Sequence, residues 1–433
     1  MIKDEAPLPN FIGLSILKVL LLNIKQVMST LIARQAIYDA QSTVCAYEIL
    51  YRTGDLNYAN IDTSDEKSGY DATASVLYNL FTHLNINTII GSHPAYINFT
   101  RTHLLQQIPA RLPKDRVVIE LLENLWVDDL LLKNVIMLSE QGYKIALDDF
   151  VFREELIPLI NIVDIIKIEV LGLSKQEIKK QLAVLKAMGF KGKLLAEKID
   201  SRDQLILCRN LGFDMFQGFF LDHPNLIQHE PLPENKLSIL KLFTELYNPE
   251  TEIGQIEEII LKLPQLNDRI LKLANSASMY QGKKIDCLIT AIQQLGLAKI
   301  RNWVIFLLVS ALDHVACDLL ERTLIRAKMC QLLAIRSRLA NADDAYTVGM
   351  LSTLDAMLNE PMSCLLNRIQ LKDEVTAALL TRRGALGYLL DMVQAYEHAN
   401  FSKLEHSKFS TEDYSKAYLQ SIAYTNTLKS IIH

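Results

Sequence analysis

Short apolar runs alternate with longer amphipathic stretches over residues 31–221. The runs occupy residues 44–47, 95–97, 117–119, 143–147, 162–166, 193–196 and 215–216. Helical periodicity fills residues 128–140, 175–188 and 202–211, and a glycine follows each of these stretches, as is common at helix ends. Repeated strand and helix units predict a parallel sheet covered by helices, either open or closed into a barrel.

The second half of the chain has a different pattern. Residues 222–234 contain three prolines and little periodicity, which is typical of an interdomain linker. Beyond it the strand signals fade, and helices are predicted at residues 237–247, 256–263, 267–274, 288–295, 300–312, 318–338 and 375–380. We therefore expect four parts: an N-terminal extension (1–30), an α/β domain (31–222), a linker (223–235) and an all-α domain (236–433).

The N-terminal extension contains the most apolar window of the chain, residues 11–24. Lys18 interrupts this window, and a helix that spans a bilayer needs about 20 apolar residues. An accessory helix, or an extension upstream of a natural start at Met28, is therefore favoured over a membrane anchor.

Composition narrows the possible classes of protein. Half of the 433 residues are hydrophobic and 22% are charged, which excludes wholesale disorder. The 45 basic and 50 acidic residues leave a net charge of -5, so we expect no binding to a nucleic-acid polymer. A basic cluster within residues 318–338 is interpreted as a solvated helix face. Six scattered cysteines without a Cys-x-x-Cys pair indicate reduced thiols and a cytoplasmic location.

The apolar runs of the first domain share a polar ending. These endings are Glu48, Asn98, Glu120, Asp148 with Asp149, Lys167, Glu197 and Gln217. Since the carboxyl ends of barrel strands open onto one face, the endings predict one shared polar cluster. Oxygen ligands without histidine or thiolate point to hard ions such as Mg²⁺ or Mn²⁺. Any single acid could instead be a helix cap or a loop residue, but seven endings in series favour a site.

These motifs, in this order, resemble the EAL domain, the cyclic di-GMP phosphodiesterase family. The name-giving signature is Glu48 to Arg52 (EILYR). The further elements are INFT at 97–100, ELLE at 120–123, DDF at 148–150, KIE at 167–169, AEK at 196–198 and QG at 217–218. The resemblance covers residues 31 to about 222 and implies a (β/α)8-like barrel.

The resemblance also implies a role for each matching residue. It implies that two divalent ions, Mg²⁺ or Mn²⁺, are held by Glu48, Asn98, Glu120, Asp148 and Asp149. The catalytic residues would be Lys167, Glu197 and Glu123, with Lys167 stabilising the attacking water. Arg52, Gln35 and Gln217 would contact cyclic di-GMP, and the product would be the linear dinucleotide pGpG.

Three departures from the family pattern leave the activity open. The loop after Asp149 lacks the usual glycine and serine, Glu169 replaces an aspartate, and Lys198 replaces a glycine. Because a small misplacement of the site can cost orders of magnitude in rate, two readings stand. The chain is either a phosphodiesterase or a catalytically impaired cyclic di-GMP receptor or protein-interaction scaffold.

The second half resembles an HDOD domain, a catalytically silent relative of HD phosphohydrolases. The resemblance is carried by LPQL at 263–266, LANSA at 273–277, AIQQLG at 291–296 and GMLSTLD at 349–355. The order EAL then HDOD is that of a YuxH-like signalling subfamily. The resemblance implies a regulatory or interaction module, with a protein partner bound through the HDOD half and a homodimer as a further expectation.

Overall fold

Eight strands close into a barrel in the computed structural model. The structure describes residues 30–53, 86–122, 125–218, 245–246, 251–261, 264–275, 285–310, 317–358, 360–369 and 371–432. The strands are β1 (Thr30–Asp39), β2 (Val44–Thr53), β3 (Ala95–Phe99), β4 (Val117–Leu121), β5 (Lys144–Leu147), β6 (Ile165–Glu169), β7 (Lys193–Glu197) and β8 (Met215–Phe216). The predicted fold class, an α/β barrel followed by a helical domain, is confirmed.

Strand β1 differs from the other seven because it runs antiparallel to both of its neighbours, β2 and β8. The remaining pairs, from β2 to β8, are parallel. The expectation of a wholly parallel sheet was therefore wrong at this strand, which was not among the predicted strands. Glu48 also lies inside β2 and not at its end, since the hairpin with β1 prolongs the strand to Thr53.

Helices cover the barrel between its strands. They are α1 (Ile86–Ile90), α2 (Arg101–Leu105), α3 (Asp129–Glu140), α4 (Ile157–Ile160), α5 (Lys175–Ala187) and α6 (Arg202–Asn210). The three longest match the predicted helices, and the side chains of Asp128, Ser174 and Ser201 cap their N-termini. Prediction succeeded here because both the amphipathic period and the capping signals are local.

The barrel interior is filled by one layer of apolar side chains, to which every strand contributes one residue. The layer consists of Ile37, Ala46, Tyr96, Val118, Ala146, Ile165, Leu195 and Met215. Side chains alternate between the two faces of a strand, so the residue two positions away lies on the same face. The next inward-facing position on each strand, towards the mouth, therefore forms a second layer above this one.

The C-terminal half is helical throughout the ranges that the structure describes. Its helices are α7 (Ile253–Leu261), α8 (Pro264–Ala274), α9 (Leu288–Leu295), α10 (Leu297–Ser310), α11 (Cys317–Ser337), α12 (Ala342–Leu351), α13 (Leu354–Leu358), α14 (Met362–Leu366), α15 (Asp373–Thr381), α16 (Gly384–Glu397), α17 (Phe401–Leu404) and α18 (Thr411–Ile432). Most of the predicted helix at 237–247, the linker at 223–235 and the segment 1–29 lie outside the described residues.

The helical domain packs directly against the barrel. One continuous apolar core joins residues on both sides, including Ile32 and Ala36 of β1 with Ile325 of α11 and Tyr396 of α16. The basic cluster of α11 was expected to be a solvated helix face. This was wrong for Arg326, which is buried and whose guanidinium pairs with Glu397. Across the described ranges, every helix is too short or too polar to cross a bilayer.

Gly349 marks the closest approach of α12 to α11. A Cβ at this position would lie 2.5 Å from the Cα of Ala327, a backbone atom that cannot move aside cheaply. We expect Gly349→Ala to lower the free energy of unfolding by about 1–3 kcal/mol through overpacking. Gly254→Ala in α7 is the matched control, because its Cβ would meet nothing within 4 Å. Equal midpoints in urea for the two variants would contradict this helix crossing.

Candidate functional site

A layer of polar side chains lies above the apolar layer of the barrel. Each strand, or the residue directly after it, contributes one member. Its members are Gln35, Glu48, Asn98, Glu120, Asp148, Lys167, Glu197 and Gln217. Each lies two residues from a member of the apolar layer, so the pleat of the strands turns all eight towards the same opening. Seven are the predicted strand endings, and the eighth, Gln35, is the register partner of Glu48 across β1 and β2.

Lys167 stands at the centre of this polar layer. Its ammonium is 2.7 Å from a carboxylate oxygen of Glu120, 2.7 Å from Asp148 and 2.8 Å from Glu197. A fourth carboxylate, that of Glu48, is 3.7 Å away. The side chain of Lys167 is buried in the middle of β6, so a single cation offsets several buried negative charges.

Glu48 connects the remaining side of the polar layer. One of its carboxylate oxygens accepts a hydrogen bond of 2.7 Å from the Gln217 amide. The other accepts a longer one, 3.4 Å, from the Asn98 amide. Residues separated by 169 positions along the chain are thereby brought into one hydrogen-bonded group.

Burial, together with the neighbouring carboxylates, raises pKa values within the polar layer in spite of Lys167. Burial raises the pKa of Glu120 well above its ordinary value, and Glu48 and Asp148 add to this against the pull of Lys167. Burial likewise raises the pKa of Glu197 to about 8. Burial lowers the pKa of Lys167, but the surrounding carboxylates outweigh it and hold the value well above the ordinary one. The site therefore favours an added cation.

Three carboxylates are spaced to share such a cation. The ligand oxygens of Asp148, Asp149 and Glu197 all lie within 4.8 Å of one another, and Asp148 and Glu197 are buried. Oxygen donors alone suit hard divalent ions such as Mg²⁺, Mn²⁺ or Ca²⁺. The donors present thus fit a divalent metal, and the charge excess of the layer gives a reason to bind one.

The chain turns sharply at Asp149, whose φ is +41°. Aspartate tolerates this left-handed region better than most residues do. No residue from 150 to 156 has a positive φ, so the loop needs no glycine there; Phe150 is buried, while Val151 and Phe152 are exposed. The lack of glycine in this loop therefore carries no backbone penalty at residues 150–156.

The other two departures from the family pattern pair with each other. Lys198, at φ +55°, donates to the carboxylate of Glu169, which lies at the end of the neighbouring strand β6. The β6–β7 register places Glu169 beside Glu197, so the ion pair lies at the rim of the polar layer. Sequence reasoning treated the two changes separately, although both fall at the mouth ends of adjacent strands.

Two predicted site residues cannot be placed in the same way. Glu123 lies outside the described residues, and Arg52 is described only by its backbone, which pairs with Leu31 in the β1–β2 hairpin. Their predicted roles stay predictions, and so do those of the other predicted site residues.

Comparison with protein families identifies the class that this barrel and helical domain define. The EAL domain model matches residues 79–224, and the HDOD domain model matches residues 232–412. The chain therefore contains an EAL domain followed by an HDOD domain. Strands β1 and β2 precede the matched range but complete the barrel, and most of α18 follows the second range.

Two proteins resemble the chain along nearly its whole length. The cyclic di-GMP phosphodiesterase CdgJ of Vibrio cholerae is 28% identical over 417 residues, which cover 93% of this chain and 94% of CdgJ. The uncharacterized protein YuxH of Bacillus subtilis is 28% identical over 413 residues, covering 93% of this chain and 99% of YuxH. Both comparisons span the barrel and the helical domain together.

Solved structures similar to the barrel include an EAL domain protein from Listeria monocytogenes, at 20% identity and a TM-score of 0.36. That match covers 49% of this chain and 93% of the other. The PaMucR phosphodiesterase, solved with cyclic di-GMP, has 19% identity and a TM-score of 0.38, covering 48% of this chain and 99% of the other.

Removing the central ammonium tests the electrostatic description of the site. We expect Lys167→Met, in chelator, to lower the free energy of unfolding by about 3–5 kcal/mol, because it leaves buried carboxylates without their counter-charge. Lys144→Met is the control, since the exposed Lys144–Asp164 pair should contribute less than about 1 kcal/mol. Urea denaturation of both variants measures the difference. A loss at position 167 no larger than at position 144 would contradict the description.

The left-handed backbone at Lys198 gives a second test. Lys198→Ala keeps the unfavourable φ and removes an exposed ion pair, whereas Lys198→Gly also relieves the backbone. We therefore expect the glycine variant to exceed the alanine variant in unfolding free energy by about 1 kcal/mol. Thermal unfolding measures the order of the two. An alanine variant as stable as the glycine variant would show that the backbone at 198 is not strained.

Proposed function

We propose that the protein is a cyclic di-GMP phosphodiesterase that depends on divalent metal ions. The observation that carries this proposal is the polar layer, in which four carboxylates and three amides converge on one barrel mouth around Lys167, with the carboxylate of Asp149 beside them. The similarity to CdgJ over 93% of the chain supports it, because that relative is named as a cyclic di-GMP phosphodiesterase.

The carboxylates would divide between two Mg²⁺ or Mn²⁺ ions. Asp148, Asp149 and Glu197, whose oxygens lie close together, would hold one ion. Glu48, Asn98 and Glu120 would contribute to the second, and Gln217 holds the Glu48 carboxylate in place. When bound, the two ions would activate water and offset the negative charge that develops on the phosphate oxygens.

The other residues of the layer would act on water and substrate. The ammonium of Lys167, already fixed by carboxylates on several sides, would orient the attacking water and offset developing negative charge. Arg52 would bind a phosphate oxygen, as a guanidinium fork suits that geometry, and Gln35 would contact the nucleotide beside Glu48. Hydrolysis of one phosphodiester bond would give pGpG.

A receptor without turnover is the second candidate. Exposed Val151 and Phe152 after Asp149, and the Lys198–Glu169 pair at the rim, replace the small residues typical of active members. These features alter the rim of the site and leave its centre intact. Such a protein would bind cyclic di-GMP and release no pGpG.

Product analysis separates the two candidates. We expect the purified chain, given cyclic di-GMP and Mn²⁺, to form pGpG, and Glu48→Gln to lower kcat at least about 100-fold because a metal ligand becomes neutral. Glu140→Gln, an exposed residue at the end of α3, is the matched control and should keep wild-type kcat. Binding of cyclic di-GMP measured by calorimetry without any pGpG would refute the enzyme and leave the receptor.

A further inference from the structure

Within the described residues, three helices of the helical domain, α11, α16 and α18, contact strand β1. Among the residues that the structure describes, β8 pairs with β1 only at Tyr38 and Asp39, and no strand pairs with the preceding residues of β1 on that edge. The hydroxyl of Tyr396 in α16 takes the place of a strand at Ile32: it donates to the Ile32 carbonyl at 2.6 Å and accepts from its amide at 3.2 Å.

Charged contacts fix the outer side of the same strand. The guanidinium of Arg34 pairs with Glu321 of α11, and both side chains are almost completely buried. Lys429 of α18 holds the second oxygen of Glu321 at 2.6 Å. Three helices of the HDOD half thus meet β1, since Tyr396 adds the contact from α16.

These polar pairs add to the apolar core that joins β1 to the helical domain. A cavity of about 40 Å³ remains between β1 and the helices, and its lining includes Arg34, Gln35, Tyr47, Asp318 and Arg322. Such a volume is large enough for a water molecule. The Arg34–Glu321 pair and the 2.7 Å bond from the Tyr38 hydroxyl to Asp318 connect β1 directly to α11.

Strand β1 also forms one side of the proposed metal site. Gln35 follows Arg34 directly and is the register partner of Glu48. Strand β2, which carries Glu48, is supported by β1 along one edge and by β3 along the other, and the Glu48 carboxylate accepts from Gln217 and Asn98. A shift of β1 would therefore move Gln35 and act on one of the two strands that hold Glu48.

We propose that Arg34 is a positioning residue: its ion pair with Glu321 sets β1, and thereby Glu48, in the geometry that binds metal and substrate. This inference rests on the proposed function for its kinetic effect, whereas its effect on metal affinity is independent of turnover. A movement of α11, caused by whatever the HDOD half binds, would reach the site through this pair.

The test compares three full-length variants at a temperature where circular dichroism shows each to be folded. Arg34→Gln and Glu321→Gln break the pair from its two sides. Arg326→Gln is the matched control, because it breaks the buried Arg326–Glu397 pair within the helical domain, on the same helix as Glu321. Calorimetry with Mn²⁺ alone gives the metal affinity, and product analysis gives kcat for cyclic di-GMP.

All three variants should have a lower Tm, but only Arg34→Gln and Glu321→Gln should bind Mn²⁺ about 10-fold more weakly, with a comparable fall in kcat. The double variant should be no worse than either single one, since both remove the same contact. Arg34→Lys, which keeps the charge, should recover part of the Mn²⁺ affinity and keeps the test available should Arg34→Gln fail to fold.

Wild-type Mn²⁺ affinity in both Arg34→Gln and Glu321→Gln, with a Tm loss like that of Arg326→Gln, would overturn the proposal and make the pair merely structural. Absence of pGpG from the wild-type chain would refute the proposed function alone. The comparison of Mn²⁺ affinities would then still decide the role of Arg34.

Discussion

The ion pairs of Lys167 are the interaction on which the arrangement of the barrel mouth depends. Burying several carboxylates within a few ångströms of one another is strongly unfavourable unless cations accompany them. Lys167 supplies one positive charge from the middle of β6, at 2.7–2.8 Å from three of these carboxylates. Burial and the neighbouring carboxylates nevertheless raise the pKa values of Glu120 and Glu197, which supports our proposal that the site also binds metal ions.

The apolar layer below makes this concentration of charge possible. Eight strands, each contributing one apolar side chain, close the barrel interior and keep water out from beneath. The regular alternation of the strands then sets eight polar positions at one level. Because each polar residue belongs to a strand, a movement of the strand also moves that residue of the site. β1 is the strand most subject to this, because its outer face belongs to the interface with the HDOD half.

Most of the barrel and of the candidate site could be predicted from the sequence, because the signals for both are local. Seven apolar runs with polar endings predicted both the barrel strands and the members of the site. β1 escaped prediction because Arg34 and Gln35 interrupt its apolar run. Arg34 is buried in a pair with Glu321, 287 residues away, which the local sequence does not reveal. Helix α12 escaped for a similar reason, since Ala345 to Leu351 are all buried and leave no polar face. The central place of Lys167 depends on strand register, which no single run reveals.

Anomalous scattering from a crystal soaked in Mn²⁺ tests the central claim, that the polar layer is a divalent-metal site, most directly. We expect anomalous peaks at the barrel mouth, one of them among the carboxylates of Asp148, Asp149 and Glu197. These peaks should be lost in a double variant that combines Glu48→Gln with Asp149→Asn. Full Mn²⁺ occupancy elsewhere on the molecule, with no peak at the barrel mouth, would contradict it.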